Sequence, residues 1–420
     1  MRIPVAIIGA GQAGLACSHE LTRLRIPHAV LEKGAAVGHA WRAQRWDSFS
    51  LVTPNWMTRL PGRPYDGPEP DAFMPRTDFI RWLEDYSASF QAPVRTGVEV
   101  TGLRPEGGGW VLATPSGAIE ADNVVVATAT YQSERIPSLA SSFPASIHQV
   151  HAGQYRNPQS LPEGSVLVVG SAQSGCQIAE EIQLSGRQVY LSTGTAGRLP
   201  RRYRGVDANR WQDRMGLLDR TPDLLESPAH RFRGDPHLTG TGGGRTLNLH
   251  TFARMGIRLL GKLSGADGDT LRFENDLDQN VAYADDYAEK FQAAVDQFID
   301  REGLDIPPAD ERNSDFGGPQ RARAPAAPAR IDLRKESIRS VVWATGFKFD
   351  FSWIEAGCRD DDGYPVSDRG VSRVPGLYFL GLNWLHKRKS GILYGVGEDA
   401  EYLAPTIARR VRGEGGEHAR

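Results

Sequence analysis

Short runs of aliphatic and β-branched residues, each followed by a glycine turn and a helical stretch, occur twice along the chain. The first run covers residues 3–8 and the second covers residues 166–169. Helical periodicity continues after the turns to about Arg25 in the first case and Leu184 in the second. The order strand, glycine turn, helix predicts the opening of a βαβ unit at both places.

Later apolar runs complete both units. Second strands are predicted at 28–32 and 188–192, and buried closing strands at 124–128 and 341–346. We therefore predict an α/β fold with two Rossmann-like dinucleotide-binding domains, the second inserted into the first. The predicted boundaries are 1–155 for the first part of the first domain, 156–335 for the second domain with an irregular insertion at 203–329, and 336–420 for the return to the first domain.

The insertion carries two further signals. Apolar side chains at helical spacing predict one amphipathic helix over residues 285–300, which we expect to pack on the core. Residues 317–329 are rich in Pro, Ala and Arg, a composition typical of a mobile surface loop.

Composition narrows the class of protein. A chain of 420 residues with 49 Lys plus Arg against 51 Asp plus Glu suits a two-domain globular protein that is not built to bind nucleic acid. No apolar run is long enough for a membrane helix or a signal peptide, so we predict a cytoplasmic protein without a membrane partner. The three cysteines lie far apart, which argues against disulfides and a metal site.

The first glycine turn has the full dinucleotide-binding pattern. Gly9 suits the tight turn, Gly11 lets the backbone approach a pyrophosphate, and Gly14 allows close packing of helix on strand. Glu32 ends the next strand, 23 residues after Gly9, where a carboxylate can accept hydrogen bonds from ribose hydroxyls. The unusually aromatic, loop-like stretch 38–62 that follows favours FAD, because a flavin ring needs a covering wall.

The second turn departs from that pattern. Gly170 and Gly175 keep their places, but Ala172 replaces the middle glycine, and Ser192 and Thr193 stand where the first site has its acid. Nothing there would repel a 2′-phosphate, and guanidinium groups suit a phosphate ester. We therefore predict NADPH rather than NADH, bound with help from a basic run containing Arg198, Arg201, Arg202 and Arg204.

Together, the two turns, the 41–62 stretch and the strand end at 344–346 resemble the class B flavin-dependent monooxygenases, in particular flavin-containing monooxygenase-like bacterial stand-alone flavoproteins. The resemblance covers residues 3 to about 403 and is weakest between 203 and 329. It implies FAD and NADPH as cofactors, and a small organic substrate and dioxygen as reactants. It also implies oxygen transfer through a flavin C4a-(hydro)peroxide.

The resemblance extends to individual residues. It implies that Asn55 lies near the flavin and helps to hold its oxygenated form, although a turn-supporting role after Pro54 stays open. Residues 386–390 would lie close to the cofactor, as would a helix predicted at 398–407. The candidate catalytic residues are Asn55, His386 and Lys389. The candidate cofactor-binding residues are Gly9, Gly11, Gln12, Gly14, Glu32, Lys33, Trp41, Thr53, Gly170, Gln173, Ser174, Gly175, Ser192, Thr193, Arg198, Arg201, Arg202, Thr345, Gly346, Gly381 and Val396.

The family fingerprint between the domains is kept only in part. Ala145 replaces its glycine, His151 follows two residues late, and Tyr155 stands where Baeyer–Villiger members have tryptophan. Two roles for His151 stay open: it is a linker residue that only hydrogen-bonds the backbone, or it couples the two domains. Tyr155 favours oxygenation of an amine nitrogen over that of a ketone.

Three alternatives remain. An NADPH oxidase or reductase without oxygen transfer would use the same two sites. A disulfide reductase would need a cysteine pair, which the chain lacks. A non-catalytic flavin-binding redox protein is the third alternative. Separately, the sequence leaves open whether the protein forms a homodimer.

Overall fold

The computed structural model describes residues 2–234, 236–309 and 327–414. Within these ranges no helix is long and apolar enough to cross a membrane. The eight α-helices are α1 (Gln12–Arg23), α2 (His39–Ala43), α3 (Arg76–Ser89), α4 (Gln173–Leu184), α5 (Ala208–Arg214), α6 (Leu249–Arg254), α7 (Leu277–Glu302) and α8 (Leu393–Val411).

The described ranges also contain twenty-three strands, several of them only two residues long. In the first half of the chain they are β1 (Ile3–Ile8), β2 (Ala29–Glu32), β3 (Arg59–Leu60), β4 (Arg63–Pro64), β5 (Val94–Thr96), β6 (Gly102–Glu106), β7 (Gly109–Thr114), β8 (Gly117–Val126), β9 (Ser133–Glu134), β10 (His148–His151), β11 (Ser165–Val169) and β12 (Val189–Ser192). The remainder are β13 (Arg202–Tyr203), β14 (Val206–Asp207), β15 (Arg258–Leu260), β16 (Leu263–Asp267), β17 (Thr270–Phe273), β18 (Arg330–Asp332), β19 (Ile338–Trp343), β20 (Phe347–Lys348), β21 (Ser367–Asp368), β22 (Val371–Ser372) and β23 (Leu377–Phe379).

The first sheet is built around β1. Its strand order is β21-β22-β23-β8-β1-β2-β5, with the β6–β7 hairpin attached to β8. β1 runs parallel to β2 and β8, and β23 returns parallel to β8. Through β23 the chain thus returns to the first sheet near its C-terminus.

The second sheet is entirely parallel, in the order β10-β19-β11-β12-β15. β11 is buried along its whole length, as expected for a parallel strand covered on both faces. The predicted α/β fold with two Rossmann-like units is confirmed. Because β10 and β19 both belong to this second sheet, we propose that the chain crosses between the units near residues 147 and 346 rather than at 155 and 335.

The two crossing segments are joined to each other. β9, on the outward crossing, pairs antiparallel with β20, on the return crossing. His151 accepts a hydrogen bond from the amide of Gly153 at 3.0 Å, and its Nε2 lies 2.9 Å from the carbonyl oxygen of Gly346. These backbone contacts agree with the linker role for His151, and they fix the return strand beside the outward one.

The insertion is more regular than its sequence suggests. A single helix, α7, covers the predicted 285–300 and begins eight residues earlier, while β16, β17 and β18 form a small antiparallel sheet. The predicted mobile loop 317–329 lies outside the described residues except for its last three.

The last helix was predicted to begin at Glu398, after two glycines, but α8 begins at Leu393 and contains both of them. Tertiary packing explains the difference. A Cβ atom on Gly395 would lie 2.4 Å from the carbonyl oxygen of Lys389, and one on Gly397 would lie 3.1 Å from Pro61. Glycine is therefore used here for close approach of the helix to its neighbours rather than to end it.

Candidate functional site

The first glycine turn has the geometry of a dinucleotide-binding turn. Gly9 has φ of +106°, and a Cβ atom there would lie 2.8 Å from the Ala127 carbonyl oxygen. A Cβ atom on Gly14 would lie 1.8 Å from the Gly9 carbonyl oxygen, so α1 can pack on the turn only because both residues are glycine. Gly11, in contrast, faces open space with nothing within 4 Å of a Cβ position.

The second turn repeats this geometry closely. Gly170 also has φ of +106°, and a Cβ atom on Gly175 would lie 1.8 Å from the Gly170 carbonyl oxygen. Neither α1 nor α4 has a side-chain cap or an acidic residue in its first turn. Their first amide groups and the positive ends of their dipoles are therefore available to an anion.

Glu32 is held in place at the edge of the first turn. Its side chain is buried, and its two carboxylate oxygens accept hydrogen bonds from the amides of Ala10 and Gly34, both at 2.8 Å. Each oxygen keeps a further lone pair, which suits the predicted contact with ribose hydroxyls. Lys33, also predicted to bind the cofactor, is exposed to solvent.

Trp41 lies against the same turn. Its indole nitrogen donates to the Gln12 side-chain oxygen at 3.1 Å, and its ring packs edge-on against Phe79 at 4.8 Å. Both predicted residues therefore form part of one wall beside α1. The segment that contains Gly381 and the start of α8 also packs against α1. A Cβ atom on Gly381 would lie 2.5 Å from the Ala13 Cβ and 3.9 Å from Val396.

Asn55 begins a 3₁₀ turn, Asn55–Met57, that packs on the start of α8 through Trp56 and Tyr394. Its side-chain nitrogen donates to the Glu69 carbonyl oxygen at 2.9 Å. Its side-chain oxygen is buried and has no hydrogen-bond partner among the described residues, and the same is true of the Thr58 hydroxyl. Thr53, the predicted neighbour, is half-buried.

Buried polar atoms without a partner are costly, so Asn55 and Thr58 fit a site where a ligand supplies the missing hydrogen bonds. The predicted FAD, which carries polar atoms along the edge of its ring, meets this requirement. Thr58 was not predicted from the sequence, because a lone threonine gives no signal except its position three residues after Asn55.

The predicted catalytic lysine is already neutralised. The buried Lys389 ammonium lies 2.7 Å from Glu398 and 3.0 Å from Asp219, and Lys387 shares both carboxylates. Burial and the nearby Arg369 lower the pKa of His386, which favours its neutral form. This loop is thus a charge-balanced wall, and we propose that Lys389 positions the loop rather than acting on a substrate.

At the second site, the polar side chains at the end of β12 bind main-chain atoms of the protein itself. Ser192 donates to the Gly261 carbonyl oxygen at 3.0 Å, and Thr193 donates to that of Leu260 at 2.7 Å. Both side chains are almost completely buried. We propose that they support the strand end, because their hydroxyls do not face the glycine turn.

The predicted arginines have different environments. Arg201 is fully buried and makes a bidentate ion pair with Asp207, with both N–O distances 2.7 Å. Arg202 donates to the carbonyl oxygens of Gly243 and Gly244, and Arg204 pairs with Asp296 at 2.8 Å. A contact between Arg201 and a phosphate would require breaking its buried pair, so we propose a structural role for it.

Arg198 is the member of the run that stays close to the second glycine turn. It lies in a parallel bridge with His237, whose ring hydrogen-bonds the Ser171 carbonyl oxygen inside that turn. One of its terminal nitrogens binds Asp285 at 2.8 Å, while Nε and the other terminal nitrogen have no partner among the described residues. We propose Arg198 as the residue of this run that serves the cofactor.

The remaining predicted residues lie around the second turn. Gln173 donates to the Pro236 carbonyl oxygen at 2.9 Å, and Ser174 is half-buried in the first turn of α4. Thr345 donates to the Arg135 carbonyl oxygen, and Gly346 has φ of +81° at the end of β19. These residues connect the second site to the crossing segments.

Comparison with known proteins gives matches along the whole chain. A family model described as pyridine nucleotide-disulphide oxidoreductase matches residues 6–204. An uncharacterized oxidoreductase, CzcO-like, of Geobacillus kaustophilus is 33% identical over 96% of this chain and 98% of its own length. The indole-3-pyruvate monooxygenase YUCCA1 of Oryza sativa is 28% identical over 54% of this chain and 58% of its own.

Solved structures of two kinds share the fold. A flavin-containing monooxygenase from Stenotrophomonas maltophilia aligns with a TM-score of 0.65 at 18% identity, covering 98% of this chain and 99% of its own. The bacillithiol disulfide reductase Bdr from Staphylococcus aureus aligns with a TM-score of 0.59 at 12% identity, covering 98% of this chain and 99% of its own. These likenesses concern the fold alone.

Alanine substitutions at the first turn separate folding from cofactor binding. Ala172 already occupies the position equivalent to Gly11 with nearly the same backbone angles, φ −76° and ψ −172° against −83° and −170°. Gly11→Ala is therefore expected to leave thermal stability of the FAD-free protein unchanged while raising the Kd for FAD about tenfold. Gly14→Ala is expected to destabilise the protein by about 1–3 kcal/mol because of overpacking. Equal loss of stability in both variants would contradict this account.

The arginine assignments predict a second contrast. Arg201→Gln leaves Asp207 buried without its partner and is expected to lower the free energy of unfolding by about 3 kcal/mol or more. The ratio of kcat/KM for NADPH to that for NADH should stay within about twofold in the folded fraction. Arg198→Gln should lower this ratio with a smaller loss of stability. A lowered ratio in Arg201→Gln alone would overturn the assignment.

His237 predicts an acid-dependent loss of stability. Burial lowers the pKa of its imidazole to about 4, whereas the unfolded chain binds the same proton near pH 6.5. The contribution of neutral His237 to the free energy of unfolding is therefore complete above pH 6.5. It is lost as the pH falls towards 4, and the total loss is about 3 kcal/mol. Urea unfolding of the wild type and of His237→Gln between pH 7 and 4 should show a steeper decline for the wild type, and parallel curves would refute the prediction.

Proposed function

Because the chain belongs to the class B flavin-dependent monooxygenases, we propose that it is an NADPH- and dioxygen-dependent enzyme that oxygenates a small organic substrate. FAD and NADPH, the two cofactors predicted from the sequence, are those used by this family. Bound FAD would supply the acceptor for a hydride from NADPH and the group that activates dioxygen. The observation that carries the proposal is the presence of two dinucleotide turns with matching geometry on sheets that meet at one linker.

The residues of the chain supply binding, orientation and exclusion of water. Gly9, Gly11 and Gly14 let the backbone approach a pyrophosphate, and Glu32 can hold a ribose. The unpartnered side-chain oxygen of Asn55 and the hydroxyl of Thr58 can hydrogen-bond the edge of a flavin ring. The uncapped start of α8, which has no acidic residue in its first turn, favours negative charge at a neighbouring group.

A disulfide reductase is the competing activity suggested by the description of the matching family model. Cys17, Cys176 and Cys358 are the only cysteines of the chain, and all three are free and buried. Burial raises the pKa of Cys17 to about 12 and also raises those of Cys176 and Cys358. Thiols of this kind are poor nucleophiles and form no pair, so we propose oxygen chemistry instead.

Within oxygen chemistry we propose that an amine nitrogen is the preferred position of attack. This preference rests on the family pattern at Tyr155. In the structure that side chain is buried and donates to Glu181 at 2.9 Å, so its effect on a substrate must act through the linker. The cytoplasmic location and the homodimer stay predictions.

One experiment tests the function directly. The purified holoenzyme is reduced with one equivalent of NADPH without oxygen, and air-saturated buffer containing a tertiary amine is then added. We expect bleaching of the flavin, faster with NADPH than with NADH, and formation of N-oxide close to the amount of NADPH consumed. Release of hydrogen peroxide in that amount without N-oxide would favour an oxidase. Absence of bleaching would favour a non-catalytic protein.

A further inference from the structure

The loop that follows Trp41 lies where the two nucleotide-binding units meet. The amide of Asp47 donates to the Arg156 carbonyl oxygen at 2.8 Å, and Ser48 donates to Glu181 of α4 at 2.7 Å. Through these contacts residues 45–49 join the first unit to the linker and to the second unit. Arg45 stands at the start of this junction.

Three arginines surround the junction, and two of them have evident structural partners. Arg76 pairs with Asp47 at 3.1 Å. Arg156 donates to a set of main-chain carbonyl oxygens, namely those of Ala43, Arg45, Gly153 and Tyr155. Each of these guanidinium groups therefore holds the loop in shape.

Arg45 differs from both. Its guanidinium lies over the rings of Trp41 and Phe49, 5.2 and 5.6 Å from their centroids, and one of its nitrogens donates to the Gln44 carbonyl oxygen at 2.8 Å. Across the described ranges no carboxylate is within ion-pair distance of it. Burial lowers the pKa of Arg45, which still leaves an arginine fully charged at pH 7.

A half-buried cation without a counter-charge destabilises the protein that carries it. Contacts with two aromatic faces offset only part of this cost. The charge is therefore explained most simply by an anion that arrives with a ligand. Among the described residues the Asp47 carboxylate is not within ion-pair distance of Arg45 and instead contacts Arg76 and Asn157.

The position of Arg45 indicates which ligand brings the anion. Trp41, under the guanidinium, hydrogen-bonds Gln12 of the first glycine turn. Tyr131, which lies near Arg45, follows β8 and packs on Phe347 next to the end of β19. Arg45 thus stands near the carboxyl ends of the parallel strands of both sheets, where dinucleotides bind in folds of this kind.

We propose that Arg45 is an anion-binding residue that pairs with a phosphate group of a bound dinucleotide at the junction of the two units. This proposal rests on the proposed binding of FAD and NADPH. A guanidinium held between rings presents its remaining N–H groups in a fixed plane, which suits a phosphate. Either FAD or NADP⁺ could supply the phosphate, and the two measurements below distinguish these sources.

The test compares Arg45→Gln with Arg45→Lys and with the control Arg42→Gln. Arg42 lies in the same segment but pairs at the surface with Glu84, so its removal takes away an equal charge that is already compensated. For each protein the Kd of FAD is measured by flavin fluorescence on FAD-free protein, and the Kd of NADP⁺ by calorimetry on the holoenzyme. Both titrations are repeated at three NaCl concentrations.

We expect Arg45→Gln to raise the Kd of one dinucleotide about tenfold and to weaken its dependence on salt. Arg45→Lys should keep most of the affinity because it retains the charge, and Arg42→Gln should match the wild type. A change in the Kd of FAD assigns the phosphate to FAD, and a change for NADP⁺ alone assigns it to NADP⁺. Unchanged Kd values for both in Arg45→Gln would overturn the proposal.

The melting temperature of the FAD-free protein separates the two roles of Arg45. Arg45→Gln should raise it if Arg45 binds an anion and lower it if Arg45 has a purely structural role. Removing an uncompensated half-buried cation should raise the melting temperature by about 1–2 °C. A lowered melting temperature together with unchanged Kd values would show that Arg45 only packs between its two rings. Failure of the wild type itself to bind FAD would refute the proposed function instead, so the two failures are distinguishable.

Discussion

The architecture depends on the contact between a helix and the glycine turn that precedes it. Gly14 lies directly on the Gly9 carbonyl oxygen, and Gly175 lies in the same way on that of Gly170, with no room for a Cβ atom at either place. This approach places the uncapped starts of α1 and α4 at the carboxyl edges of their sheets. Because no described side chain caps the amides of the first turn of either helix, both sites favour an anionic ligand. Larger residues at these two positions would move the helices away and remove the sites.

The linker holds the two nucleotide-binding units in a fixed arrangement. β9 and β20 pair across the two crossing segments, and His151 contacts the return strand through main-chain atoms. Ser48 and Tyr155 both bind Glu181, on the helix that begins at the second turn. A hydride can pass between two cofactors only when their reactive rings meet, and these contacts determine how the two sheets face each other.

The repeated pattern of strand, glycine turn and helix was sufficient to predict both nucleotide-binding units, because local steric contacts restrict which residue each position of the pattern can hold. The start of α8 could not be predicted, since Gly395 and Gly397 resemble a helix boundary until their contacts with Lys389 and Pro61 are known. Arg201 and Arg198 look equivalent in the sequence, and only the buried carboxylate of Asp207 separates them. Thr58 and Arg45 gave no signal. Among the described residues Thr58 has a buried hydroxyl without a hydrogen-bond partner and Arg45 has a guanidinium without a carboxylate, and no sequence motif encodes either property.

We propose that one chain holds FAD as a resident cofactor and binds NADP⁺ at the same time in a separate site. Titration of the yellow holoenzyme with NADP⁺ by calorimetry, with the flavin absorbance recorded throughout, tests this most directly. We expect one NADP⁺ to bind per chain with the flavin retained. Displacement of the flavin by NADP⁺, or a protein that stays colourless after reconstitution with FAD, would contradict it.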